Sequence, residues 1–306
     1  MHVNSMPNVI KKCNSYMYAD DTCILFGGKN IREIEDSLQS DLDNITKWAH
    51  DNGIIINTNK TKLLRIYSPH NKKFKLSNFK IRAHSYECLH KGAQNNCSCT
   101  YIEQVQTYKY LGLTIDSSFS WSPHIEGVCS KLRSVLGKLY QLKNVLNKST
   151  MLAVYHALFE SIINYGLGSY GVACASNINK IKSLQIRALK LLVGYKQRMS
   201  MKGDYDKIFQ ICKILPIDLQ VKRLIIQEQF GNNTHKEVRV HGYPTRAAAA
   251  RETLLVPRVC NHYGLRSRRY LTPKLYNELP DGLVTQAKSE AHFKKIIKEH
   301  FLSLCP

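Results

Sequence analysis

The chain has 306 residues, 43% of them hydrophobic, so it can bury a core and is long enough for two domains. Lys and Arg number 44 against 23 Asp and Glu, a formal net charge of +21 that favours polyanionic partners. No run reaches the ~18 consecutive apolar residues of a membrane span, and residues 1–9 lack the apolar segment of a secretory signal. The expectation is an intracellular chain, nuclear or cytoplasmic, neither secreted nor in a membrane. Its ten cysteines are then mostly reduced.

In chain order, residues 13–18 and 22–26 are two short β-type runs flanking Tyr18-Ala19-Asp20-Asp21. This pattern predicts a hairpin with two carboxylates at its tip. Hard divalent cations seek such oxygens, and two metals held this way stabilise the attacking and leaving oxygens of a phosphoryl transfer. Taken alone, the string also fits an acidic turn facing water. Residues 30–52 read as an amphipathic helix, with Ile31, Ile34, Leu38, Leu42, Ile45, Trp48 and Ala49 at spacings of three and four. Asn30 is its cap, Glu33 completes a capping box, and Gly53 ends it. Residues 54–62 predict an apolar strand running into a basic turn, in which Asn57 hydrogen-bonds to backbone. Residues 108–116 predict a further hairpin around Tyr110-Leu111-Gly112.

Between the last two lies a cysteine-rich insert, Cys88-Leu89-His90 followed by Cys97-Ser98-Cys99. Cys88, His90, Cys97 and Cys99 could ligate zinc, but the spacing departs from Cys-x-x-Cys. In an extended strand the Cys97 and Cys99 thiols stand ~6–7 Å apart. The favoured reading is an inserted loop with incidental thiols and sub-stoichiometric zinc.

After Ile115 the period changes from two to 3.6. Ser122-Pro123 predicts a helix start, with a stripe from Ile125 to Leu146. A second helix is expected from Ser149, with Tyr155, His156, Phe159 and Ile163 inward. A third runs from Ser176 or Asn177 to Gly194. Further helices are expected over 206–212, 219–230 and 288–302; residues 238–251 read as a loop or short helix, and 254–270 as a basic irregular stretch. Basic clusters lie at 60–62, 72–73, 196–198 and 266–269.

The order of these motifs resembles the reverse transcriptases of non-LTR, LINE-type, jockey-like retrotransposons, over about residues 4–280. Tyr18-Ala19-Asp20-Asp21 is similar to that family's catalytic box, Asn57-Thr58-Asn59-Lys60-Thr61 to its Asn-x-x-Lys-Thr box, and Tyr110-Leu111-Gly112 to its primer-grip hairpin. Residues 4–9 resemble the stretch before the catalytic box, and residues 265–280 resemble the closing module. The resemblance implies an α+β fold: a partial polymerase palm at 1–116 (antiparallel sheet with helix), an all-helical thumb at 117–200, and a helical or irregular C-terminal module at 201–306. It implies an RNA-directed DNA polymerase using two Mg²⁺ ions, an RNA template, a DNA primer and deoxynucleoside triphosphates. In its terms Asp20 and Asp21 bind metal, Lys60 is the general acid for pyrophosphate, and Tyr18, Ala19, Asn57, Tyr110, Leu111 and Gly112 contact substrate or primer. The family's first metal-binding Asp and its fingers would lie upstream of Met1. The expectation is therefore the C-terminal part of a polymerase, inactive alone. The alternative is a catalytically dead nucleic-acid-binding remnant or a host-adopted nucleic-acid-binding protein.

Overall fold

The computed structural model describes residues 3–68, 79–92, 97–200, 207–232 and 253–305, in two compact units, Met1–Pro123 and His124–Pro306. The basic cluster at 72–73 and the 238–251 segment lie outside the described residues, as do the side chains of 196–198. Among the described residues no helix is long and apolar enough to cross a membrane.

The first unit is mixed α and β. Strands β1 (Asn14–Tyr18) and β2 (Asp21–Leu25) form an antiparallel hairpin whose last pair is Tyr18↔Asp21. Helix α1 (Ile31–Asp51) follows. Its Asn30 side chain accepts a hydrogen bond from the Arg32 N–H at 3.1 Å, capping the first turn. At its other end Gly53 adopts φ +67, its N–H reaches the His50 carbonyl at 3.0 Å, and the Ile54 N–H reaches the Ala49 carbonyl at 2.7 Å. That is a Schellman ending, for which glycine suits the left-handed residue. The apolar stripe of α1 serves two small cores. Its N-terminal half (Ile31, Ile34, Leu38, Leu42) packs on buried Phe79, Ile81 and Ile102. Its C-terminal half puts Ile45, Trp48 and Ala49 against Met6, with Val9, Ile10, Met17, Ile24, Ile54 and Ile56 around them. Met6 belongs to a 3-10 helix, Val3–Val9, and the Trp48 indole N–H donates to Ser5 Oγ at 3.1 Å.

The strand expected at 54–56 does not form. Ile54 is held in the helix ending, Ile54 and Ile56 turn into the Trp48 core, and Ile55 is 95% exposed. Pairing begins later, at β3 (Lys62–Leu64), which runs parallel to β4 (Glu103–Val105). Among the described residues between them lies one short helix, α2 (Tyr86–His90). Strands β5 (Thr107–Tyr110) and β6 (Leu113–Asp116) form the second antiparallel hairpin, with Tyr110↔Leu113 as its closing pair.

The second unit is helical. It comprises α3 (Ser122–Leu142), α4 (Lys148–Val154), a π-helical turn Tyr155–Glu160, α5 (Ser161–Asn164), α6 (Leu167–Tyr170) and α7 (Ala175–Ser200). After these come α8 (Lys207–Cys212), α9 (Ile217–Asn232), α10 (His262–Arg266), α11 (Arg268–Asn277), α12 (Asp281–Thr285) and α13 (Glu290–Ser303). Its core holds Ile125, Leu132 and Leu139 of α3, Tyr155, Phe159, Ile163, Leu167, Tyr170, Ile181 and Leu189, all fully buried.

Several sequence expectations shift here. Asn147, not Ser149, caps α4, accepting from the Thr150 N–H at 2.9 Å. The wider π turn spaces Tyr155, Phe159 and Ile163 four apart on the inner side and leaves His156 outside, paired with Glu160. His156 is thus a surface residue rather than a core one. Helix α7 runs past Gly194. The stretch expected to be irregular at 254–270 is irregular up to residue 261 and then turns helical, because Asn261 and Ser267 each cap a turn, accepting from the N–H groups of Gly264 and Tyr270. Arg268 then donates to the Gly168 carbonyl at 2.9 Å and pairs with Glu228 at 3.1 Å. The Asn277 amide brackets Leu254, accepting from its N–H at 2.9 Å and donating to its carbonyl at 2.8 Å. Phe230 of α9 stacks on Phe293 of α13, with ring centroids 3.9 Å apart.

Candidate active site

The β1–β2 connection has only two residues, Ala19 and Asp20, so the chain must reverse within them. Ala19 takes φ +54. A positive φ at the first turn position matches the twist of a right-handed hairpin and normally selects glycine; an alanine there carries strain of order 1 kcal/mol. The result is an exposed tip on which Asp20 is the second turn residue and Asp21 opens β2. Tyr18, opposite Asp21 in the ladder, is 67% exposed.

A two-stranded hairpin is marginal by itself. This one is fastened by Asp41, a fully buried carboxylate on the inner side of α1. Asp41 Oδ1 accepts from the Lys11 N–H at 2.9 Å, and Oδ2 accepts from the N–H groups of Lys12 at 2.8 Å and Cys13 at 2.7 Å. Burial alone would raise its pKa, but the three backbone donors outweigh this and hold it below the usual carboxylate range. Sequence reading passed over Asp41, although an acid three residues from Leu38 and four from Ile45 sits on the apolar stripe and marks a buried carboxylate needing donors.

The second hairpin has the same two-residue form. Leu111 and Gly112 carry φ +44 and +78, the double left-handed signature of a type I′ turn. Glycine suits this; a leucine does so only under strain. The Tyr110 phenol is raised in pKa by burial, then by the charges of Cys23 and Asp21.

The Asn57 box forms a tight turn. The Asn57 carbonyl accepts from the N–H groups of Lys60 at 3.1 Å and Thr61 at 3.0 Å, and its side-chain oxygen accepts from the Lys60 N–H at 3.1 Å. Lys60 is exposed on that turn, while Lys62 pairs with Glu103 across β3–β4 at 2.5 Å. Asp116, buried at the end of β6, accepts from the N–H groups of Ser120 at 3.0 Å and Trp121 at 2.8 Å. These bonds hold the left-handed residues Phe119 and Trp121 in the loop that leaves the unit. Among the described residues, no third carboxylate, His or Cys joins Asp20 and Asp21 in a metal-ligating group.

The cysteine insert departs from expectation in two respects. The thiols of Cys88, Cys97 and Cys99 converge, and the histidine among them is His84, not His90; the four ligand atoms lie within 4.8 Å of one another. Ser85 caps α2, accepting from the Cys88 N–H at 3.2 Å. This starts the helix at Tyr86 and brings His84 and Cys88 to the same side, while His90 falls on another face beside Tyr86. The i, i+4 spacing of His84 and Cys88 was the available signal.

Residues 1–115 match the family Reverse transcriptase (RNA-dependent DNA polymerase). The chain is 29% identical over 200 residues to the RNA-directed DNA polymerase from mobile element jockey of Drosophila melanogaster, covering 64% of this chain and 20% of that protein. It is 25% identical over 185 residues to the probable RNA-directed DNA polymerase from transposon X-element of the same species, covering 58% and 18%. Against the jockey polymerase of Drosophila funebris it is 27% identical over 208 residues, covering 64% and 21%. The chain thus spans about a fifth of the length of these curated relatives. No solved structure matches it. Residues 1–115 thus resemble reverse transcriptases, and the longer alignments are to RNA-directed DNA polymerases of mobile elements.

Proposed function

We propose that the chain is a working part of an RNA-directed DNA polymerase of a non-LTR, jockey-like retrotransposon. In this reading it supplies the rear of the palm (residues 1–116), the thumb (117–200) and a C-terminal module. The observation that carries it is the two-residue turn at Ala19-Asp20, which projects Asp20 and Asp21 into solvent. Two exposed adjacent carboxylates suit Mg²⁺, which is held by one or two carboxylates together with substrate phosphates. When bound, the ions supply phosphate neutralisation and acidify the primer 3′-hydroxyl.

The chain's own residues do the rest. Asp20 provides the principal carboxylate and Asp21 a more peripheral one. The backbone around Ala19, with only a methyl side chain, lets the primer terminus approach the turn, and Tyr18 flanks it. The Tyr110-Leu111-Gly112 turn seats the primer strand, with Gly112 allowing close backbone approach. Lys60, held out by the Asn57 turn, donates a proton to the departing pyrophosphate. Asp41 acts through the hairpin: it fixes the start of β1 and so the height of the tip. RNA template, DNA primer and deoxynucleoside triphosphates are the ligands in this reading.

A second reading, a nucleic-acid-binding remnant without catalysis, is favoured by the presence of only two carboxylates at the tip among the described residues. Both readings seat a primer terminus between the hairpins, which can be tested on the chain itself. An RNA–DNA hybrid with a photoreactive base at the primer 3′ end should crosslink to residues 18–21 and 108–113. Crosslinks confined to other segments would remove the basis of both.

A further inference from the structure

We propose that His84, Cys88, Cys97 and Cys99 bind one structural zinc ion that clips the insert shut. This inference does not depend on the polymerase reading.

The geometry is the first argument. The His84 Nδ1 lies 3.5 Å from Cys88 Sγ and 3.4 Å from Cys97 Sγ, and all four ligand atoms fall within 4.8 Å of one another. A tetrahedral ion with Zn–S of ~2.3 Å and Zn–N of ~2.0 Å has edges of ~3.8 Å between sulfurs and ~3.5 Å between sulfur and nitrogen. The observed spacings are those of a site needing little adjustment. Four protein ligands of this type close a coordination sphere, which is the pattern of a structural rather than a catalytic zinc.

The second argument is what the ligands connect. His84 precedes α2, Cys88 lies within it, and Cys97 and Cys99 lie on the irregular segment that leads to β4. Helix α2 buries none of its residues. Its contact with α1 is through Tyr86, stacked on His50 with ring centroids 3.4 Å apart. A five-residue helix without a core of its own needs another fastening, and small modules commonly use a metal for this.

The third argument is the charge around the sulfurs. Arg82 Nη1 donates to Cys97 Sγ at 3.3 Å and to the Cys97 carbonyl at 3.2 Å. Three thiolates and one Zn²⁺ leave one negative charge, which the guanidinium offsets. Outer partners of this kind orient ligands and tune the site. Arg82 is itself anchored to α1: its N–H donates to Gln39 Oε1 at 2.8 Å, and Gln39 Nε2 donates to its carbonyl at 2.9 Å.

The consequence reaches the hairpin at Tyr110. Residues 97–103 lead directly into β4 and β5, and the Ile102 N–H bonds the Ile81 carbonyl at 2.8 Å. Closing the insert with a metal would fix the strand that delivers Tyr110-Leu111-Gly112.

The test is metal analysis of the purified full chain, grown with zinc and desalted without chelator. About one zinc per chain is expected. Replacement by Co²⁺ should give the visible bands of tetrahedral cobalt and a thiolate charge-transfer band. Cys97→Ser and His84→Ala should leave well under one equivalent, whereas His90→Ala should retain the wild-type content. If the variants fail to fold, the wild-type cobalt spectrum decides. A folded wild-type chain with less than about a tenth of an equivalent of zinc and no tetrahedral cobalt spectrum would overturn the proposal. So would a disulfide between two of the three cysteines in the native chain, or zinc that survives His84→Ala but not His90→Ala.

Discussion

Asp41 sets the position of the acidic tip without touching it. Its carboxylate gathers three backbone donors just before β1. Asp41→Ala leaves those N–H groups without their acceptor, and the expected cost is about 3 kcal/mol, read from the urea midpoint of unfolding. The folded-state pKa lies below the unfolded one, so this stabilisation is present at neutral pH. It is lost as pH falls below the ordinary carboxylate value towards the lowered one. Asp41→Asn should therefore flatten the acid limb of the stability profile, and an unchanged acid limb would contradict this. The place of Asp41 on the apolar stripe marks a buried acid, but its partners were hidden because they are backbone groups distant in the chain. The turns that carry Asp20, Asp21, Asn57 and Tyr110 were legible because their motifs are local and each turn needs only its own residues. His84 was missed for the opposite reason: His90 lies nearer the other cysteines in sequence, and only the cap at Ser85 shows which face each residue takes.

Among the elements, both hairpins and α1 follow from short-range pattern, and their bounds sit within a residue or two of expectation. The failures came where tertiary contacts override periodicity. Ile54 and Ile56 read as strand but are drawn into the Trp48 core by the Schellman ending of α1. Residues 155–160 read as ordinary helix, and the π turn there moves His156 to the surface. In the helical unit one close approach was not visible in the sequence. A Cβ on Gly171 would lie 2.4 Å from Val221 Cγ2 and 2.5 Å from the Leu167 carbonyl oxygen. Gly171→Ala should force α6 away from α9 and cost about 1–3 kcal/mol. Thermal unfolding would show this as a lowered midpoint, whereas an unchanged midpoint would mean the two helices separate freely.

For the whole molecule, the net charge of +21 and the proposed seating of a primer terminus at the two hairpins predict binding to nucleic acid. Binding of a short RNA–DNA hybrid should depend little on sequence. Log affinity should fall linearly with log salt, by about 0.7–0.9 for each phosphate neutralised. A flat salt response would argue against backbone contacts as the source of affinity. The central claim is tested most directly by primer extension. Residues 4–116 would replace the matching segment of the jockey polymerase of Drosophila melanogaster, and extension on an RNA template would be measured with Mg²⁺. The account predicts that the chimaera extends the primer, and that Asp20→Ala in it lowers the rate by about a thousandfold or more, equivalent to about 4 kcal/mol or more of lost transition-state stabilisation. A folded, hybrid-binding chimaera that adds no nucleotide, or extension that survives Asp20→Ala, would contradict it.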